Sequence, residues 1–167
     1  HAPQDLWDVD IRRNMPFQGT QRYLEERTTE SLGLLYETHY PFKQFRTARG
    51  VRRSVLHEQL KAQGAVFGVE SGWERANWFA EAGQHAEYEY SYGRQNWFDN
   101  NKAEHEAVRN AVGVIDQSSF SKYQVAGADA EAFLNRICTN NVSVPVGKMV
   151  YTQWLNERGG IEADVTV

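Results

Sequence analysis

Asp164 stands between Ala163 and Val165 in an apolar stretch, a setting where strand interiors disfavour a carboxylate. Two readings are open for it. It is a solvent-facing polar position beside Glu162 and Thr166, or it lines a cavity, where withdrawal from water lets it accept, donate or orient a proton on a ligand amine. A second feature is the tract from His39 to His57, which contains Lys43, Arg46, Arg49, Arg52 and Arg53 and no Asp or Glu. Guanidinium groups fork onto carboxylates and phosphates, so the tract suits an anionic substrate, a cofactor phosphate or an acidic neighbouring domain. It equally suits a solvated face, or salt bridges to the acidic segment that follows Thr20.

Other chemistry-bearing residues lack the spacing their chemistry needs. The histidines His1, His39, His57, His85 and His105 form no HxH or HExxH pattern, and the single cysteine, Cys138, cannot supply a multi-cysteine site, so no metal is expected. Ser118, Ser119 and Cys138 have neither a Gly-x-Ser-x-Gly elbow nor an identifiable histidine partner, and read as core or cap positions. Gly-x-Gly-x-x-Gly is absent, so the chain carries no dinucleotide-binding fingerprint of its own.

The elements that position these residues follow from periodicity and punctuation. Residues 1 to 19 carry turn formers at Pro3, Asn14, Pro16 and Gly19 and read as an irregular arm anchored by Trp7 and Phe17. Thr20 is placed to cap a helix running to about Tyr36, closed by Pro41. Ser54 to Lys61 predicts a shorter helix that Gly64 terminates. From Val66 to Phe98 regular pattern fades while aromatics crowd in, which predicts an extended, packed connector between two units. Asn101 to Gly113, with Glu104 three residues after its start, predicts a helix opened by a capping box. Phe120 to Val125 alternates as a strand; Asp129 caps a helix with apolar positions Ala130, Phe133, Leu134, Ile137 and Cys138. Met149 to Leu155 and Ile161 to Val167 are strands joined by Asn156-Glu157-Arg158-Gly159-Gly160.

The fold class expected is α+β. A helical and irregular segment over 1–80 precedes a β-α-β-β run over 81–167, the truncated start of a split-βαβ sheet of the ferredoxin-like kind. In the last strand Ile161, Ala163, Val165 and Val167 share one face, and Glu162, Asp164 and Thr166 share the other. The chain starts at His1 and ends at Val167 inside a strand pattern, so it is expected to be a piece of a longer parent.

Composition narrows the partners. Among 167 residues, hydrophobic types make up 41% and charged types 24%, the balance of a folded domain. A net charge of -4 argues against a nucleic-acid protein working by bulk positive charge. The lone cysteine fits a reducing compartment, and the absence of a long apolar run or signal-peptide pattern predicts a cytoplasmic protein with no membrane partner.

The string Tyr151-Thr-Gln-Trp-Leu-Asn-Glu-Arg-Gly-Gly-Ile-Glu-Ala-Asp164, with His105-Glu-Ala-Val-Arg-Asn-Ala-Val-Gly113 and Val114-Ile-Asp-Gln-Ser-Ser119 before it, resembles the folate-binding half of the dimethylglycine and sarcosine dehydrogenase family. That half is itself similar to the aminomethyltransferase, or T-protein, of the glycine cleavage system. The tract His39-Tyr-Pro-Phe-Lys-Gln-Phe-Arg-Thr-Ala-Arg-Gly-Val-Arg-Arg53 is similar to the segment joining flavin and folate domains in those dehydrogenases. The resemblance implies a parent that oxidises a small N-methyl amine at FAD, bound outside these residues, and passes the one-carbon unit to tetrahydrofolate. It implies as partners the flavin domain and the remainder of the folate domain of the same parent chain, with no nucleic acid. It implies that Asp164 matches the second aspartate of the T-protein Gly-Gly-x-x-Asp-Asp pattern and acts on the folate amine, with Ala163 in place of the first. Tyr151 is expected to face the folate cavity beside it. Arg46, Arg49, Arg52 and Arg53 are expected in anion or interdomain contacts. The competing readings are a freestanding aminomethyltransferase and a non-catalytic interaction module.

Overall fold

The computed structural model describes residues 9–38 and 43–167. Pro3 and Trp7 of the arm, and His39 and Pro41 beyond the first helix, lie outside the described residues. Among the described residues the chain is mixed α and β, with two two-stranded antiparallel sheets. It packs as two compact units, 1–120 and 121–167.

In the first unit, short 3-10 turns at Ile11–Arg13 and Pro16–Gly19 lead into α1, Gln21–Leu34. The Thr20 hydroxyl accepts the Tyr23 N–H at 3.4 Å, satisfying one of the donors that a helix start leaves open. The second helix, α2, spans His57–Ala62, and Gly64 ends it at φ +91, where its backbone pairs with Ala80. The first part of the segment expected as an extended, packed connector, Val66 to Phe98, is a hairpin of β1, Ala65–Glu70, and β2, Trp73–Phe79, while residues 80–97 form no helix or strand. Ser71 and Gly72 form its two-residue turn at φ 50 and φ 79, the left-handed pair whose twist matches that of the strands. Ala65 and Val66 are buried on it, and Trp78 is completely so.

The aromatics after the hairpin pack on one another. Tyr88 lies 6.2 Å from Trp78, 5.6 Å from Tyr90 and 4.8 Å from Trp97 between ring centroids, mostly edge to face. Helix α3 spans Phe98–Asn110 and starts three residues before the expected Asn101. No capping box opens it. Glu104 accepts the Phe79 N–H at 2.9 Å instead, and the buried Asn100 donates to the Phe79 carbonyl at 2.8 Å, so its polar side chains tie α3 to the end of β2.

The second unit contains α4, Ala130–Ile137, and the hairpin of β3, Tyr151–Leu155, and β4, Ile161–Thr166. Asp129 occupies the position before α4 but makes no side-chain cap. Phe120 to Val125 is not a strand: among the described residues nothing forms a ladder with it, and alternation without a pairing partner does not make a strand. The β3–β4 turn matches expectation, with Asn156 Oδ1 accepting the N–H groups of Arg158 at 3.0 Å and Gly160 at 2.9 Å. Beyond the named strands, the backbones of Val150 and Val167 exchange bonds at 2.8 and 3.0 Å.

Replacing Gly72 tests the first hairpin. A Cβ there would come within 2.5 Å of Phe17 Cζ, on a backbone that disfavours side chains. Gly72→Ala should lose about 1–3 kcal/mol of stability, while Ser71→Gly, at the neighbouring turn position, should lose none; urea unfolding followed by tryptophan fluorescence measures both.

Candidate functional site

Pairing of β3 with β4 sets Gln153 opposite Asp164 and Tyr151 opposite Thr166, so these four side chains share one face. On the other face Thr152 is fully buried, and Trp154, Ala163 and Val165 are half-buried. The Tyr151 hydroxyl donates to Asp164 Oδ2 at 2.9 Å, and Gln153 Nε2 donates to Asp164 Oδ1 at 3.4 Å. Both oxygens of the carboxylate are therefore engaged by β3, each with a lone pair still open to a ligand N–H. The hydrogen bond to Asp164 pushes the Tyr151 phenol above its ordinary pKa, and desolvation and the nearby negative charge act in the same direction. Tyr151 stays a donor at neutral pH.

The structure thus brings together the two residues assigned to folate from sequence. Asp164 is exposed and Tyr151 is 62% exposed, so the pair presents an open hydrogen-bonding face. Sequence reasoning did not single out Gln153. Its signal was the strand alternation itself, which places residues 151 and 153 on one side of β3.

The arginines of the basic tract belong to the first unit and have different roles. Arg49 forks onto the buried carboxylate of Glu74, with Nε at 2.9 Å from Oε1, and also donates to the carbonyls of Phe45 at 3.0 Å and Phe67 at 2.9 Å. Gly50 adds a backbone N–H to Glu74 at 2.6 Å. Burial works to raise the Glu74 pKa, but the Arg49 guanidinium and the Gly50 N–H together hold it below the usual carboxylate range. Arg52 lies over the Trp73 ring, 5.2 Å from its centroid, and its backbone brackets the hairpin by bonding Gly72 and Glu74. Arg53 is exposed and meets Glu58 at 3.4 Å. Arg46 is exposed, and its backbone N–H is held by Glu30 at 2.7 Å. Acidic residues of α1 therefore bind the backbone of this tract: Glu30 also takes the N–H of Thr47, and Glu26 that of Ala48.

Arg46, Arg49 and Arg53 line a cleft of about 630 Å³ whose walls include His57, Tyr88 and Tyr90. His57 is buried and stacked 4.3 Å from the Phe67 ring, a packed core position. Among the described residues no three His, Cys, Asp or Glu side chains are grouped to hold a metal ion, and no helix is long and apolar enough to cross a membrane. Cys138 is half-buried at the end of α4, next to Trp154 of β3.

Two family models match the chain end to end. Residues 56–167 match the GCVT N-terminal domain, and residues 1–54 match the FAD dependent oxidoreductase central domain. A 4-methylaminobutanoate oxidase (formaldehyde-forming) of Paenarthrobacter nicotinovorans is 46% identical over 95% of this chain and 19% of that protein. A mitochondrial pyruvate dehydrogenase phosphatase regulatory subunit of Mus musculus is 33% identical over 100% of this chain and 20% of its own length. The mitochondrial sarcosine dehydrogenase of Homo sapiens is 34% identical over 98% of this chain and 21% of its own length. The chain thus spans about a fifth of the length of the curated relatives it matches.

The Arg49–Glu74 pair yields a stability prediction. Because the folded-state pKa of Glu74 is depressed, its ionised form favours folding above the unfolded carboxylate value, and that contribution disappears as pH falls through the lower folded value. Glu74→Gln should cost about 1–3 kcal/mol at pH 7, because Arg49, partly open to water and still bonded to the Phe45 and Phe67 carbonyls, loses its charged partner. The penalty relative to the wild type should shrink as pH is lowered from about 5 towards 3, measured by urea unfolding across that range.

Proposed function

This chain belongs to the GCVT N-terminal domain family, and on that premise we propose that it is the central segment and the beginning of the folate-binding domain of an FAD-dependent N-methylglycine dehydrogenase of the dimethylglycine or sarcosine type. The observation that carries the proposal is the junction itself: a match to the central domain of FAD dependent oxidoreductases runs directly into the GCVT match. A freestanding aminomethyltransferase has no use for the first of these. The names of an oxidase and a dehydrogenase of N-methyl amino compounds among the relatives support a small N-methyl amine as substrate. The division between linking segment and folate domain, expected near residue 80, is taken in this reading at the junction near residue 55. Within the second unit, α4, β3 and β4 are read as part of a split-βαβ sheet.

In the parent, FAD supplies oxidation of the N-methyl group; these 167 residues contain no dinucleotide-binding fingerprint, and none is assigned to hold it. The acceptor on the β3–β4 face, Asp164, fits a reduced folate, whose ring amines are hydrogen-bond donors. Asp164 offers free lone pairs to such an amine and can hold or move its proton, while Tyr151 keeps the carboxylate facing outward. Arg46 and Arg53, at the mouth of the basic cleft, are read as contacts to an anion or to a neighbouring domain of the parent. Arg52, stacked on Trp73, is grouped with them, and Arg49 supports them from its pair with Glu74. One cysteine fits a reducing compartment, the cytoplasm included.

Asp164→Ala in the full-length parent should leave flavin reduction by the amine unchanged and lower methylenetetrahydrofolate formation about 10²-fold, with free formaldehyde appearing in its place. Unchanged folate-linked transfer would reject the role of Asp164. A non-catalytic module is the second reading, and one relative carries a regulatory-subunit name. It predicts no flavin reduction by any N-methyl amine.

A further inference from the structure

We infer that Thr139 and Gln153 form a positioning pair for Asp164, in which the threonine hydroxyl fixes the glutamine amide and the amide fixes one carboxylate oxygen. The inference rests on the reading of Asp164 given above and names residues to which that reading assigns nothing. Thr139 runs alongside β3 just after α4, where its N–H donates to the Gln153 carbonyl at 3.0 Å. Its hydroxyl oxygen accepts the Gln153 N–H at 3.3 Å and donates to Gln153 Oε1 at 3.1 Å. Asp164, an acceptor only, selects the amide's orientation, and the Thr139 hydroxyl, as donor to Oε1, holds the amide in it. With Oε1 held by a donor, Nε2 is the end left to face Asp164 Oδ1, at 3.4 Å; the flipped amide would set its oxygen against a carboxylate.

The proton order is fixed one step further back. Thr139 Oγ1 also lies 3.1 Å from Thr152 Oγ1, and the Thr139 proton is already committed to Gln153. Thr152 must then be the donor in that contact. Its own oxygen accepts the Asn140 N–H at 3.0 Å, and it is fully buried, so the chain starts from a point that cannot turn toward solvent. The donors run Thr152 to Thr139 to Gln153 to Asp164, from the buried face of the sheet to the open one. Asn140 Nδ2 adds a bond to the Tyr151 carbonyl at 2.7 Å, which holds β3 where Tyr151 reaches the second carboxylate oxygen. Residues 139 and 140 thereby brace both donors to Asp164.

The test uses the full-length parent, with flavin reduction by the amine, methylenetetrahydrofolate formation and the thermal midpoint read for each variant. Gln153→Met and Thr139→Val should each lower the kcat of folate-linked transfer about tenfold, with the KM for tetrahydrofolate within about twofold and flavin reduction unchanged. Thr139→Ser, which keeps the hydroxyl, should retain the wild-type rate. The double variant should be no slower than Gln153→Met alone, since one chain carries both effects. Comparison of Thr139→Ser with Thr139→Val keeps the inference open to refutation if Gln153→Met does not fold. Transfer lost in Asp164→Ala but retained in Gln153→Met or Thr139→Val, or fully additive losses in the double variant, would overturn the pair and leave Asp164 standing. Transfer retained in Asp164→Ala would overturn both.

Discussion

Because side chains alternate across a strand, pairing Gln153 with Asp164 and Tyr151 with Thr166 places a carboxylate and its two donors on one face of the second hairpin. A slip of one residue would send Asp164 against Thr152 and Trp154, where a charge would be buried without partners. Several features hold that register. Asn156 closes the turn by accepting two backbone N–H groups, the Val150–Val167 pair closes the open end, and Cys138 and Thr139 bond the free edge of β3. A bulge between Trp154 and Leu155 takes up the odd residue near the turn and leaves the pairs on the Tyr151 side in regular order.

In the first unit charge does a different job. Glu74 is an ionised carboxylate in a strand interior, and it is tolerated there because Arg49 and the Gly50 N–H meet both its oxygens. Arg49 in turn links the loop carbonyl of Phe45 to the β1 carbonyl of Phe67. One of the four arginines expected in anion or interdomain contacts is thus the strut that pins residues 45–50 to the hairpin. Of the three arginines that line the cleft, Arg49 is held by Glu74, while the heads of Arg46 and Arg53 are not committed to a buried partner.

These two arrangements explain what the sequence disclosed and what it hid. Thr20, Gly64 and the Asn156–Gly160 turn were legible because each acts on backbone within a few residues of itself. The facing of Asp164 was legible because alternation is a local rule. The β1–β2 hairpin was obscured by Glu74 and Arg75, charges that break an apolar alternation and make sense only once Arg49, distant in sequence, is placed beside Glu74. The start of α3 was misplaced for the same reason: Glu104 has capping spacing from Asn101 but bonds Phe79 across 25 positions. Phe120 to Val125 has strand alternation, yet a strand also needs a partner, and a single sequence does not name one. Gln153 carries no distinguishing type or spacing; its role comes from Thr139 lying next to it in space.

Orientation and shielding are separate contributions to what a carboxylate can do to a ligand proton. The β3–β4 face supplies the first: two donors set the plane of Asp164, and a buried hydroxyl sets the order of one of them. It does not supply the second, because Asp164 and Tyr151 stand open to water, where a charge is screened and its pull on a proton is weak. A flat ligand lying across this face would itself remove that water, covering the Tyr151 ring while its N–H groups take the remaining lone pairs of Asp164. Under the proposed reading of Asp164, binding and activation would be one event, with the sheet holding the carboxylate already turned outward when the ligand arrives.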